Sequence, residues 1–528
     1  MSELPEGWVG TTIGSLARFV RGVSFAKGDA QSGERPGYLP VLRAGNLQDG
    51  GILWSDLVFV PERLVSSAQR LTEGDIVVAM SSGSASVVGK AAPVLRADAK
   101  RVAGFGAFCG VWRPASAEWS VYLRHYFQSA EYRQAVTAAA LGVNINNLRA
   151  DHIGSLEIGL PPASEQRRIV AKLEDLLARS RRAKTSLDAV PPLLEKLRQS
   201  VLAAAFRGDL TADWRAKNQD AEPAEKLLAR IRFDRRKKWE AAALAKMKAK
   251  GKPPTDDRWK QKYVEPEPAD TSGLPELPEG WCWAGLSEVA SLQLGQRRAP
   301  EYEHQPHRPY VRAANITWRG LDLTDVKTMG FADPDSVALE PGDVLLSEAS
   351  GSPTEVGKPA LWTGELENCC FQATVLRVRS YSASLRGGWL RLAFLKNALL
   401  GDFAAMAPGV GILHLTAERM RAWPVPLAPF AEQVEVVQRT EAIMKRWAAT
   451  EDLVPRLHER RLQLDRSVLA KAFRGELVPR PPTDELADVM LGRLNAESAR
   501  TVPERATRGS RRTPSQVSAP HGAPDGEV

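Results

Sequence analysis

The chain states its plan twice. Leu4-Pro5-Glu6-Gly7-Trp8 returns as Leu277-Pro278-Glu279-Gly280-Trp281, and Arg43-Ala44-Gly45-Asn46-Leu47 returns as Arg312-Ala313-Ala314-Asn315-Ile316. Gly74-Asp75-Ile76-Val77 is matched by Gly342-Asp343-Val344-Leu345, and Gly89-Lys90 by Gly357-Lys358. Ala205-Phe206-Arg207-Gly208-Asp209-Leu210 reappears as Ala472-Phe473-Arg474-Gly475-Glu476-Leu477. The offset between copies drifts only from 273 to 267 residues. Solenoid units run roughly 20–50 residues, so this is a duplicated half-protein, and it points to a molecule with two similar working surfaces.

Each half reads as two unlike parts. Residues 1–160 and 277–427 carry short apolar runs between Gly- and Pro-bearing turns, such as Asp75-Ile76-Val77-Val78-Ala79-Met80 and Asp343-Val344-Leu345-Leu346. These suggest short strands. A helical stretch around Trp119–Ala140 follows, with Tyr122, Tyr126, Phe127 and Tyr132 as its packing residues. Both regions are therefore expected to be mixed α+β domains. The second part of each half is helical. Ser164 is placed as an N-cap after Pro161-Pro162, and Ile169, Leu173, Leu176 and Leu177 recur at helical spacing. The stripe continues to Phe206, and its copy runs from Glu432-Gln433 to near Phe473. Pro191-Pro192 and Pro455 predict a kink or restart within each helix, and Gly208 and Gly475 fit helix ends. Forty-odd residues of helix would extend about 60 Å. An apolar stripe that long needs a partner, and the other copy supplies one as a coiled coil.

Between the halves, Glu225 to Tyr263 holds fourteen Lys/Arg against five Asp/Glu. That local charge of +9 exceeds the whole chain's +8, so the remainder is close to neutral. Basic balance favours acidic partners such as nucleic acid without deciding the matter. With 528 residues, 43% of them hydrophobic, several domains are available. Cys109, Cys282, Cys369 and Cys370 form no disulfide framework. No signal-like start or membrane-length apolar run is present, so a soluble, cytoplasmic protein without a membrane partner is expected. The stretch after about Ala499 is poor in core formers and reads as a disordered tail.

Catalytic patterns are missing. The sequence has no P-loop, no GxGxxG after a strand, no GxSxG, no HExxH, and no Asn/Asp-Pro-Pro-Tyr/Phe. Phe105-Gly106-Ala107-Phe108-Cys109-Gly110 superficially resembles a cofactor glycine motif, but no helix opens from it. His304, His307, Cys369 and Cys370 fit no zinc spacing and have no counterpart in the first half. Accordingly no catalytic, cofactor-binding or metal-binding residues are assigned. A Ser/Gly loop precedes Lys90 and Lys358 in each half, and such a loop offers backbone donors and one cation to a phosphate. A tight turn plus a surface lysine is the plainer reading. Arg43, Asn46, Arg312 and Asn315 carry side chains suited to guanine and adenine edges. Residues shared by both halves, however, more readily hold the fold or grip phosphate than read two different sequences. These six residues are the candidate DNA contacts.

Taken in order and twice over, these motifs, with the Pro-x-x-Glu-Gln helix starts at Pro162 and Pro429, resemble the specificity subunit of type I restriction-modification systems. The resemblance spans nearly the whole chain. It implies target recognition domains at 1–160 and 277–427, helical spacers at 161–210 and 428–495, a basic central region at 211–276 and a tail at 496–528. The two long helices would run antiparallel as a coiled coil, giving a pseudo-twofold duplication. Each recognition domain would read one half of a bipartite double-stranded DNA target, while the helices fix the spacing and dock two modification subunits. The chain itself would be non-catalytic. S-adenosylmethionine would sit on the modification subunits, and ATP and Mg on restriction subunits, an optional further partner. The prolines in the first helix and the long polar tail depart from the pattern. A protein scaffold that ignores DNA, or a fused modification enzyme with unrecognised motifs, stays open as an alternative.

Overall fold

The computed structural model describes residues 4–492 apart from 49, 85, 141–146, 267, 351, 407–412, 482–485 and 490, so the expected tail at 496–528 lies outside the described residues. The chain divides into two compact units. One comprises Met1–Lys184 with Glu459–Val528, the other Thr185–His458. The first unit is thus closed from both ends of the chain.

In the first unit, an antiparallel sheet has the order Ala17–Arg21, Cys109–Pro114, Ile76–Ala79, Ala91–Pro93. Ile76–Ala79 is buried on both faces. Successive side chains in a strand point to opposite faces, so Ile76 and Val78 join one core with Tyr122, Phe127 and Leu173, while Val77 and Ala79 join a second with Leu42 and Phe105. The expected helix over 119–140 is two helices, Ala117–Tyr126 and Ala130–Ala140. Ser129 breaks them and caps the second, its hydroxyl accepting the Tyr132 N–H at 3.1 Å.

The second unit repeats the plan. Its sheet runs Ala290–Leu294, Val375–Ser380, Val344–Ser347, Pro359–Leu361, and again the central strand splits its residues, Val344 and Leu346 from Leu345, between two cores. The α+β class is therefore met in each half.

Four long helices follow from the apolar stripes: α1 (Ala163–Asp188), α2 (Val190–Phe206), α3 (Ala224–Ala249) and α4 (Phe430–Phe473). Ser164 lies inside the first turn rather than at the cap, because Gln166 N–H already bonds Pro162 O at 2.8 Å. The first stripe restarts at Ala189 ahead of Pro191-Pro192, as the prolines require, whereas α4 passes through Pro455 unbroken. Within the first unit, Ile169 and Leu173 share a core with Leu469 and Ala472, and Arg461 Nη1 donates to Ser180 Oγ at 3.1 Å. Within the second, His458 meets Asp188 at 3.3 Å, and the Arg198 guanidinium lies 5.0 Å from the Trp447 ring. In both units the paired helical segments run in opposite directions. No helix among the described residues is long and apolar enough to cross a membrane.

Three of the repeated motifs converge on one junction per unit. In the second, Glu432 is fully buried in the first turn of α4 and accepts from Trp281 Nε1 (2.8 Å), Thr211 Oγ1 (2.7 Å) and Arg215 Nη2 (2.9 Å). Negative charge is favourable at a helix start. Gly208 is left-handed (φ +77°), and a Cβ there would sit 2.4 Å from the Pro278 ring. Gly475 (φ +72°) stands in the same relation to Pro5, at 2.7 Å, and Arg480 approaches buried Glu165 at 4.0 Å. Leu-Pro-Glu-Gly-Trp, Pro-x-x-Glu-Gln and Ala-Phe-Arg-Gly are thus parts of one structural clasp.

Candidate nucleic-acid interface

Each unit raises a loop surface from a shared frame. Strand Tyr38–Leu42 enters a short 3₁₀ turn, Ala44–Asn46, and strand His307–Val311 enters its copy, Ala313–Asn315. Asn46 is 3% exposed; its Oδ1 accepts the Arg43 N–H at 2.9 Å, and its Nδ2 donates to Leu53 O and Ser55 O at 3.1 and 2.9 Å. Asn315 does the same with Arg312 N–H, Asp322 O and Asp325 O. Buried amides with both ends bonded hold a turn in place. The two arginines stand differently. Arg43 is exposed and donates from Nη2 to Asp56 O at 2.9 Å, while the Arg312 guanidinium is paired with the Asp325 carboxylate.

The repeated Gly-Asp pair proves to be internal. Arg113 grips the fully buried Asp75 through Nε and Nη2 at 2.6 and 2.7 Å, and Arg379 grips Asp343 at the same distances. The bond to Asp75, ahead of burial, raises the Arg113 pKa above its ordinary value. Sequence inspection missed both arginines, although they sit at matching positions of the two copies.

The Ser/Gly loops also match. Ser82 Oγ accepts the Ser84 N–H at 3.2 Å, and Ser350 Oγ accepts the Ser352 N–H at 3.0 Å. Lys90 is half-buried where the chain enters Ala91–Pro93, its carbonyl accepting the Ala79 N–H at 2.9 Å. The Lys358 side chain is only 14% exposed and its ammonium is paired with Glu355, which also accepts from Trp318 Nε1 at 3.2 Å. Of the six candidates, then, Arg43 is the most open to a ligand.

In the first unit these loops enclose a cavity of about 460 Å³ lined by Arg43, Gly45, Leu53, Ser81, Ser82 and Phe108. Phe108 is 67% exposed and went unassigned in the sequence; only a position-by-position comparison of the copies singles it out. The imagined His/Cys metal site is not assembled: no group of three or more His, Cys, Asp or Glu suited to a metal occurs among the described residues. Burial pushes the Cys369 and Cys370 thiols up to about 12 and about 11.

Residues 5–190 match the model of the type I restriction modification DNA specificity domain. That match covers the loop surface of the first unit, and the second unit repeats the same frame. The chain is 28% identical to the EcoKI specificity subunit of Escherichia coli K12 over 96% of its own length and 98% of that protein's. It is 28% identical to the StySPI specificity subunit of Salmonella potsdam over 97% and 98%. Its fold is shared with the HsdS subunit from Thermoanaerobacter tengcongensis (TM-score 0.51, 19% identity, 90% and 98% covered). It is likewise shared with a solved chain described under complex assembly and conformational transition of the type I R-M system (TM-score 0.60, 19% identity, 90% and 100% covered). Along nearly its whole length the chain is thus similar to type I restriction enzyme specificity subunits.

Proposed function

We propose that this chain selects the DNA sequence on which a type I restriction-modification complex acts, each recognition domain reading one half of a bipartite double-stranded target. The observation that carries this reading is the duplication itself: two copies of one buried frame, each presenting different exposed loops. Arg43 and Arg312 approach the DNA, Lys90 and, once released from Glu355, Lys358 meet its phosphates, and Asn46 and Asn315 act by holding the loops that do so. The long helices of the expected spacers, acting as an antiparallel coiled coil, set the spacing between the half-sites. Their outward faces dock two modification subunits, which bring S-adenosylmethionine and methylate adenine; where restriction subunits join, ATP and Mg act there. This chain contributes specificity and no catalysis.

Co-expression with the modification subunit, followed by genome-wide mapping of methylated adenine, tests the proposal. A bipartite motif is expected, and exchanging residues 1–160 for those of another such subunit should change one half of it only. A complex that forms but methylates nothing, with salt-independent behaviour toward DNA, would leave a protein scaffold in its place, since phosphate contacts make affinity fall steeply with salt.

A further inference from the structure

The turn that carries Phe108 closes through matching backbone bonds in both units. Cys109 N–H bonds Gly106 O at 2.8 Å, and Val375 N–H bonds Gln372 O at 2.9 Å. The carbonyl of Phe108 accepts the Met80 N–H at 2.8 Å, and that of Thr374 accepts the Glu348 N–H at 2.9 Å. Of the side chains that differ between the two turns, the one at the tip, Phe108 against Thr374, changes what the loop presents. Thr374 turns its hydroxyl inward, where it accepts the Ala313 N–H at 3.1 Å and so ties the tip to the Arg312 loop. A phenyl ring cannot accept that bond. Phe108 instead stands in solvent at the rim of the cavity, beside Arg43 and Ser81.

Exposing a large aromatic side chain forfeits its burial, roughly 1.5–3 kcal/mol. The frame does not call for that exposure, because the same turn closes with threonine in the other copy. A backbone pinned to Met80 and Ser81 also holds the ring's base in place rather than leaving it on a loose tip. An apolar ring set beside a guanidinium and two hydroxyls matches the mixture found on base edges in the major groove. There, pyrimidine C5-methyl groups lie among hydrogen-bonding atoms, and apolar side chains including Phe contact the thymine methyl.

We infer that Phe108 is a specificity-determining residue of the first recognition domain, making an apolar contact with the C5-methyl group of a pyrimidine in the half-site that domain reads. This rests on the DNA-reading function proposed above. Thymine and 5-methylcytosine present the same methyl group, and the test separates them.

Once the methylated motif is known, the full chain in complex with its modification subunits is titrated with duplexes carrying one change each. Thymine is replaced by uracil, or cytosine by 5-methylcytosine, at every pyrimidine position. The wild-type complex should lose about fourfold in affinity at one uracil position of the first half-site, the worth of one buried methyl group. If the methyl belongs instead to 5-methylcytosine, it should gain a similar factor at one cytosine. Phe108→Thr should abolish that single sensitivity while leaving the second half-site unchanged, and Phe108→Leu should keep part of it. If Phe108→Thr retains the wild-type response at every pyrimidine, or weakens both half-sites equally, the assignment to Phe108 is wrong although the DNA-reading function stands. If the wild-type complex methylates no bipartite motif, both are withdrawn.

Discussion

Asp75→Asn removes one charge from the first unit and almost no volume. Asp75 is fully buried and holds Arg113 through two short bonds, while its Oδ2 also accepts the Thr72 N–H at 2.9 Å. The Arg113 side chain is 16% exposed, so it cannot swing out to water without dragging its other bond, Nη2 to Arg70 O at 2.9 Å. Breaking one side of a buried pair typically costs about 3–5 kcal/mol, because the remaining charge is left uncompensated. Asparagine still offers one acceptor oxygen, which places the expected loss near the lower end, about 3 kcal/mol. For a unit of this size that lowers the melting temperature by roughly 6–12 °C. Thermal and urea unfolding of the full chain read it directly. The double variant Asp75→Leu/Arg113→Met leaves no unpaired charge and should recover part of the loss. An Asp75→Asn chain as stable as wild type, or a double variant worse than the sum of its parts, would refute the role given to this pair.

The remaining expectations bear on the clasp and on acid stability. Glu432→Ala leaves Trp281 Nε1, Thr211 Oγ1 and the Arg215 guanidinium without their shared acceptor, and should cost about 3–5 kcal/mol in urea unfolding. His125 is buried, and that burial, assisted by the nearby Arg124 charge, lowers its pKa to about 3. The unfolded chain takes up this proton near pH 6.5 while the folded one does not. Stability is therefore lost as pH falls from about 6.5 toward 3, by roughly 2–3 kcal/mol at pH 4.5 from this group alone. His125→Phe should reduce the difference in unfolding free energy between pH 7 and pH 4.5 by that amount; an unchanged difference would place the acid sensitivity elsewhere.

Much of the architecture was legible because duplication supplies two independent readings of each element. The strand Asp75-Ile76-Val77-Val78 and its copy announce a buried strand, and the helical stripes run close to their structural lengths. What pattern could not give is the destination of polar side chains. Asn46 and Lys358 have the composition of nucleic-acid contacts, yet the structure buries one amide among backbone groups and pairs the other residue's ammonium with Glu355. The partners, Leu53 O and Ser55 O for Asn46, are fixed by a turn whose path no local periodicity encodes. Pro455 is similar: the rule that proline ends a helix is right for Pro191-Pro192 and overridden in α4, where tertiary packing carries the helix through.

The same comparison separates what the two halves must share from what they are free to change. Asn46 and Asn315, Asp75 and Asp343, and Gln166 and Gln433 are all buried, and each repeats its bonds almost atom for atom: Gln166 Nε2 donates to Pro161 O at 2.8 Å, Gln433 Nε2 to Ala428 O at 2.9 Å. Altering any of them strands a buried polar group, at a cost of about 1–3 kcal/mol or more. The tip at Phe108 and Thr374 stands nearer the opposite logic, since its turn closes through backbone bonds in both copies and the Thr374 hydroxyl adds a single bond, from the Ala313 N–H. A protein that recognises two different half-sites with one frame needs positions of this second kind, because a residue that stabilises the loop cannot be exchanged to alter what the loop reads. On that reasoning, exchanging Phe108 and Thr374 between the units would cost little stability, a few tenths of a kcal/mol beyond the lost Ala313 bond, whereas exchanging neither but truncating Asn46 to Ala would unfold the loop that positions Arg43.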